Sequence, residues 1–261
     1  MNIAELDVLS RAFLQDFDAK KKELSPIEFD WYPYGTLNNF SHLDRLLTGS
    51  NRNLLATPAQ VGTIADIGAA DGDTAFFLES LGYRVHAIDY PPTNYNSCRG
   101  IRLLKQAMNS NVELLEIDLD SQFKLPNQQY ELVFFLGILY HLKNPYYALE
   151  TLALRAQYAL ISTRIARYNM ASSQKQNPYP DTNRERVEIA SIPAAYLVAA
   201  DETNHDATNF WMFTEAGLRR ILHRTGWEVL DFINIGNTKN SDPATNEGDE
   251  RAFCYIRSRH F

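Results

Sequence analysis

The sequence predicts an α/β fold organised as a doubly wound, mostly parallel sheet, and three observations carry that prediction. From residue 61 onward, short apolar runs alternate with helically patterned segments, the rhythm of strand–helix–strand units joined by right-handed crossovers. One run, Leu132-Val133-Phe134-Phe135-Leu136, is apolar throughout, as a strand covered on both faces must be. The 261 residues, 45% hydrophobic and 22% charged, suit one large globular domain with additions.

Ile3, Leu6, Leu9, Phe13 and Phe17 recur at helical spacing, so residues 3–22 predict an amphipathic helix whose Lys20-Lys21-Lys22 end is a solvated last turn. The aromatic stretch Phe29-Asp30-Trp31-Tyr32-Pro33-Tyr34-Gly35 and a short helix over 38–48 follow. Polar, turn-rich residues 49–60 form a linker, which makes 1–60 an N-terminal helical and aromatic cap on a domain of 61–261. Strands are expected at 61–67, 83–89, 112–118, 132–136 and 158–163, with helices at 74–81 (stopped by Gly82) and 97–108 (Ile101, Leu104 and Met108 on one face). Asn144 and Pro145 suit the N-cap and first position of the next helix. The alternation breaks over 164–213, an insertion after the fifth strand expected to act as a lid on the substrate. A helix at 214–225, a strand at 227–235, a polar loop at 236–250 and a strand at 252–257 close the chain, the two strands pairing antiparallel.

The net charge of −7 advertises no basic field for nucleic acid or an anionic membrane. Cys98 and Cys254 are far apart and belong to no CxxC pair, so neither a disulfide framework nor a thiolate zinc site is expected and reduced cytoplasm is the natural compartment. The start, Met1-Asn2-Ile3-Ala4-Glu5, lacks the basic and apolar regions of a signal peptide. The longest apolar run, 132–140, has nine residues, against roughly 20 for a membrane span. His42, His86, His205, His223 and His260 show no paired metal spacing, and no metal is expected. Oligomeric state is not legible.

The informative segment is Ile64-Ala65-Asp66-Ile67-Gly68-Ala69-Ala70-Asp71-Gly72-Asp73. A strand passing into small residues and then a helix lets backbone approach a ligand and turns helix N–H groups toward it. A dinucleotide fingerprint would need glycine where Ala70 and Asp73 stand. The acids Asp66, Asp71 and Asp73 suit a ligand with a cationic amino-acid end better than a pyrophosphate. Asp89 ends the second strand 21 residues after Gly68, where an acid can accept both ribose hydroxyls. Asp118, followed by Leu119, ends the third strand and can accept from an adenine amino group. Each acid alone would suit turn capping; together they line one rim of the sheet.

This constellation resembles the class I S-adenosylmethionine-dependent methyltransferases, whose first motif is similar to Asp66-Ile67-Gly68-Ala69-Ala70-Asp71-Gly72, with Ala70 where the family often has glycine. The resemblance covers roughly 60–261. It implies a Rossmann-like seven-stranded sheet with its last strand antiparallel, S-adenosyl-L-methionine as cofactor and S-adenosyl-L-homocysteine as product. By that likeness Gly68 and Gly72, with Ala69 and Ala70, pass the methionine moiety. Asp89, with Tyr90 beside it, takes the ribose, and Asp118 with Leu119 the adenine. Leu136, Gly137 and Tyr140 border the same pocket. The run from Leu136 to Pro145 is similar to the fourth motif of the branch containing bacterial tRNA wobble-uridine carboxymethyltransferases. Glu250-Arg251-Ala252-Phe253 is similar to that branch's terminal strand, whose arginine lies in the active site. That branch also uses an upstream lysine to hold a carboxylated cofactor. The comparable Trp31-Tyr32-Pro33-Tyr34-Gly35 offers none, which favours ordinary methyl transfer.

Methyl transfer is an in-line displacement, in which holding the reactants supplies most of the rate and an acceptor hydroxyl or ammonium must also lose a proton. His141 follows the fourth strand and is the candidate base, though its position also suits a structural histidine bonding the turn before Asn144. Tyr140 either lines the cofactor pocket or packs. Arg251 either binds an anionic or carbonyl group of the acceptor or faces solvent. Asn209 and Trp211, after the insertion, are candidate lid residues that also suit core packing. Trp31 and Tyr34, with Tyr32, either cover the ligands or pin the N-terminal helix. The expected function is methyl transfer to an oxygen or nitrogen of a small-molecule acceptor. One alternative is tRNA modification, served by a local patch of Arg164, Arg167, Lys175, Arg184 and Arg186. A non-catalytic S-adenosylmethionine-binding scaffold is the other.

Overall fold

The computed structural model describes residues 1–25, 27–121, 123–126, 129–169, 187–200, 202–203, 206–236, 241–242 and 249–261. Strands β1 (Thr63–Ile67), β2 (Val85–Asp89), β3 (Glu113–Glu116), β4 (Tyr130–Leu136) and β5 (Ala156–Arg164) run parallel in one sheet. In the insertion, β6 (Tyr168–Asn169) pairs antiparallel with β7 (Val187–Glu188), and β8 (Ala195–Leu197) with β9 (Trp211–Phe213). The chain then returns to the main sheet with β10 (Trp227–Gly236) and β11 (Glu250–Ser258). The order across the seven strands is β3-β2-β1-β4-β5-β11-β10. The last strand, β11, lies inside the sheet, antiparallel to both β5 and β10.

Period-two alternation assigns the two faces. Ile64 of β1 and Leu132 and Phe134 of β4 pack into one core, whereas Ala65, Ile67, Val133 and Phe135 pack into the other. The first core is covered by α1 (Ile3–Leu24), α2 (Asn39–Leu46), α3 (Asp73–Ser80) and α4 (Arg99–Ala107), through Ile3, Leu6, Phe17, Phe40, Leu43, Phe76, Phe77, Ile101 and Leu104. The N-terminal helices therefore complete the helical layer over β4 and β11. The second core is covered by α5 (Pro145–Ala153) and α6 (Glu215–Arg224).

Helix boundaries follow their caps. Asn2 accepts from the Ala4 N–H at 3.0 Å to start α1, and Thr214 accepts from the Gly217 N–H at 2.9 Å to start α6. Asn144 and Pro145 begin α5 as expected, but Asn144 makes no capping bond; its side-chain amide donates to the Asp120 carbonyl at 2.9 Å. The third strand ends at Glu116, two residues short of the 118 expected. Asp118 accepts from the Asp120 N–H at 2.9 Å and from the Ser121 hydroxyl at 2.5 Å, and such side-chain bonds compete with ladder pairing. The insertion closes at its root, where Ala166 donates to the Phe213 carbonyl at 2.8 Å and Ile165 bridges to Phe213.

Trp227 is fully buried in the second core, and its indole N–H donates to the Leu149 carbonyl of α5 at 3.0 Å. Trp227→Ala should cost about 3–5 kcal/mol of stability, measured as the shift in urea midpoint at constant slope. A loss under about 1 kcal/mol would contradict the packing described.

Candidate functional site

The strand order reverses between β1 and β4, so the loops leaving these strands diverge and open a crevice at their carboxyl ends. The loop after β1 is shaped by left-handed residues, with φ of +75° at Gly68, +52° at Ala70 and +89° at Gly72. A Cβ at Gly68 would fall 2.1 Å from Ile138 Cδ1, which presses this loop against the one after β4. Ala70 holds a conformation that costs an L-residue about 1–2 kcal/mol, at the position where the resembling family often has glycine.

Four carboxylates gather behind this loop. Asp66 accepts from the Ala75 N–H of α3, while its Oδ2 is buried with no partner. Burial, then the charges of Asp73 and Asp89, push its pKa up to about 8. Asp71 is fully buried; it accepts from the Tyr32 N–H at 2.8 Å and from Asn96 Nδ2 at 2.8 Å, and pairs with Lys21 at 3.1 Å. Lys21 reaches Asp73 as well, at 3.4 Å. Asp73 is pushed up to about 6 by burial, against the lowering effect of Lys21. The three-lysine end of α1 is therefore not wholly solvated as expected, because the Lys21 side chain is only 12% exposed. Asp89, held up by burial, accepts from the Ala70 N–H at 2.8 Å and Asn94 Nδ2 at 2.9 Å on Oδ2, and from the Tyr90 N–H at 2.7 Å on Oδ1. Three of a carboxylate's roughly four lone-pair sites are thus filled, leaving room for one ligand hydroxyl unless Asn94 withdraws. Asp118 spends one lone pair of each oxygen on its own turn; Leu119 beside it is buried in the second core.

A second group of side chains stands across the crevice. Leu136 ends β4, Gly137 turns the chain at φ +77°, and Tyr140 and His141 follow with ring centroids 4.1 Å apart. His141 Nδ1 lies 2.9 Å from the Thr208 carbonyl, which can only accept, so Nδ1 carries the proton and Nε2 the lone pair. Burial holds the pKa of His141 below the ordinary histidine value, helped by Arg164 and Arg251. Thr208 Oγ1 donates to Asp206 at 2.6 Å. Tyr32, between Tyr34 and Tyr95, is pushed up to about 12 by burial and then by Tyr140.

Of the other expected site residues, Trp31 lines a cavity of about 430 Å³ with Lys21, Tyr32, Tyr34 and Asp73, and packs edge-on against Phe29. Tyr34 is 71% exposed at its mouth. Asn209 is buried and donates to the Thr203 carbonyl at 3.2 Å, and Trp211 donates to the Lys143 carbonyl at 3.3 Å. Both fasten the insertion, Asn209 within it and Trp211 to the turn after β4. Arg164 and Arg167 of the suggested basic patch pair with Asp249 and Glu250, at 3.5 and 2.6 Å. Lys175, Arg184 and Arg186 lie outside the described residues. Among the described residues no group of three or more His, Cys, Asp or Glu could hold a metal ion, and no helix is long and apolar enough to cross a membrane.

A family described as a methyltransferase domain matches residues 40–231. The chain belongs to this methyltransferase family. Its fold is also that of solved structures, a methyltransferase among them. The N-terminal domain of EvdMO1 with S-adenosylhomocysteine bound is 16% identical, with a TM-score of 0.54, over 94% of this chain and 97% of that one. The protein BH2331 of Bacillus halodurans is 13% identical with a TM-score of 0.51, over 76% and 94%. The glycopeptide N-methyltransferase MtfA, complexed with S-adenosylmethionine, is 17% identical with a TM-score of 0.50, over 89% and 98%. No curated protein sequence matches.

Sequence reasoning missed Lys21, Asn94, Asn96 and Thr208, all brought in by tertiary contact. In this methyltransferase the proton on Asp66 should be visible as pH-dependent stability. Its pKa is about 8 folded against 3.8 ordinarily, so between those values the folded state holds a proton that the unfolded state has lost, and stability falls as pH rises. Asp66→Asn should therefore gain on wild type from about pH 4 to pH 8 and level off above, in urea titrations across that range. A difference flat with pH would show that Asp66 is ionised throughout.

Proposed function

We propose that this methyltransferase transfers a methyl group from S-adenosyl-L-methionine to an oxygen or nitrogen of a small-molecule acceptor. The observation that carries the reading is the unpartnered, buried Asp66 Oδ2 among four carboxylates, of which Lys21 offsets Asp71 and Asp73 by ion pairs, at the reversal point of the sheet. That cluster suits a ligand bearing an ammonium and a sulfonium. Gly68 and Gly72, in left-handed turns packed against Ile138, Phe76 and Ile101, hold the loop in its shape, and the free lone pair of Asp89 suits a ribose hydroxyl. When bound, the cofactor supplies an activated methyl whose bond to sulfur breaks as the bond to the acceptor atom forms.

The remaining work falls to the chain's own residues. Tyr140 and Tyr32 wall the crevice on the acceptor side. His141, kept neutral by burial and with its Nδ1–H fixed on Thr208, presents Nε2 to take the acceptor's proton. Arg167, a described member of the patch that tRNA would need, is turned to Glu250 at 2.6 Å, and with a net charge of −7 a small acceptor is the better fit.

Calorimetry with S-adenosylhomocysteine tests the cofactor site. Binding should weaken about tenfold or more in Asp89→Ala. It should also release up to one proton at neutral pH from Asp66, seen as heats that vary with buffer ionisation and vanish in Asp66→Asn. No binding by wild type, or unchanged binding by Asp89→Ala, would end the assignment. His141→Ala should lower turnover about 10²–10⁴-fold with cofactor affinity nearly unchanged. In wild type, kcat should rise with pH through a value below the ordinary histidine range, then stay flat. Full turnover in His141→Ala retires the base.

A further inference from the structure

Arg251 and Arg164 are register partners across the ladder between β11 and β5, which sets both at the carboxyl end of β5, beside the turn after β4. Their guanidinium carbons lie 5.9 and 5.5 Å from the centre of the Tyr140 ring. Arg251 Nη1 stands 4.0 Å from where a Cβ on Gly137 would be. The charge of Arg251 is felt at Tyr32 and His42, and both arginines are felt at His141. Two cationic forks therefore close one side of the crevice in which His141 stands.

One carboxylate joins them. Asp249 Oδ1 lies 3.5 Å from Arg164 Nη1 and Asp249 Oδ2 lies 3.4 Å from Arg251 Nε. Both contacts are long, where a fork and a carboxylate at their best make two short parallel bonds. The Asp249 side chain is 44% exposed, whereas Arg164 is only 11% exposed. Among the described residues Arg251 hydrogen-bonds only through Nε, to Asp249, which leaves both its terminal amino groups for a ligand. Asp206, on which Arg164 acts, accepts from the Thr208 N–H and hydroxyl.

We propose that Arg251 and Arg164 form an oxyanion subsite for the acceptor, which carries a carboxylate or a phosphate distinct from its methylated atom. Asp249 is an internal carboxylate holding the forks in place until the acceptor's anion displaces it. The net charge of −7 opposes an anion at long range, so short-range planar donors, which arginine supplies and lysine does not, must hold it. The anion anchored there sets the acceptor's nucleophilic atom beside His141. This inference rests on the methyl-transfer reading and adds the class of acceptor.

The test uses the full chain with methyl-labelled S-adenosylmethionine and a small-molecule extract of the source cells. The labelled product should be retained on an anion exchanger at neutral pH. Loss of retention after phosphatase marks a phosphate, and loss on acidification a carboxylate. Arg251→Gln and Arg251→Lys should raise the KM for the active fraction, the former about tenfold or more. Asp249→Asn, which removes the internal competitor, should lower it about threefold. Arg164→Gln should act as Arg251→Gln does, with folding checked by circular dichroism. A neutral or cationic product, or a KM indifferent to Arg251→Lys and Asp249→Asn, overturns the subsite. S-adenosylhomocysteine affinity, measured on the same samples, separates the two readings: binding with a neutral product overturns the subsite alone, and absent binding overturns both.

Discussion

Everything at the crevice depends on keeping several negative charges dry in a small space. Asp66, Asp71 and Asp73 are buried and Asp89 is half-buried, an arrangement that costs several kcal/mol per uncompensated ion in an apolar interior. Lys21 offsets two of them by direct pairing, the Tyr32 N–H and Asn96 help hold Asp71, and Asp66 evades the cost by keeping its proton. The loop after β1 is thus held in an electrostatically poised form, with compensation from a helix 50 residues earlier in the chain. α1 is consequently more than a cover. Its last turn is part of the charge balance of the ligand loop, and its apolar face is continuous with the sheet core through Phe17 and Phe76, whose ring centres lie 6.0 Å apart.

The opposite wall has the complementary character. Arg164 and Arg251 stand over Tyr140 in the turn after β4, so the crevice runs from an acidic end to a basic end across the reversal of strand order. A donor carrying positive charge and an acceptor carrying negative charge would each find its own end. In the proposed reading that polarity orients the transfer between them.

Much of the sheet is legible in the sequence because its signals are local. Period-two alternation in β1 and β4, the glycine turn after Ile67 and the Asn144-Pro145 start of α5 need no knowledge of the rest of the chain. The acids at strand ends are legible for the same reason. What was not legible depends on distance or competition. Lys21 looks like any exposed helix terminus until the fold sets it against Asp71 and Asp73. Arg164 looks like the end of a strand until the antiparallel register of β11 sets Arg251 beside it. The reach of β3 was overestimated because Asp118 has donors in its own turn, a choice that hydrophobic pattern does not reveal. Tyr32 and Tyr34 are equivalent as letters, and only packing separates the half-buried one from the exposed one.

The bond between His141 and Thr208 ties two parts of the protein that would otherwise vary independently. Thr208 belongs to the insertion, where substrate selection is expected to reside, whereas His141 belongs to the turn after β4. The insertion thereby decides which nitrogen of the histidine bears the proton. Grafting a foreign insertion onto this scaffold to change the acceptor would also replace the group that sets the tautomer of the proposed base, so on that proposal selectivity and reactivity are inherited together.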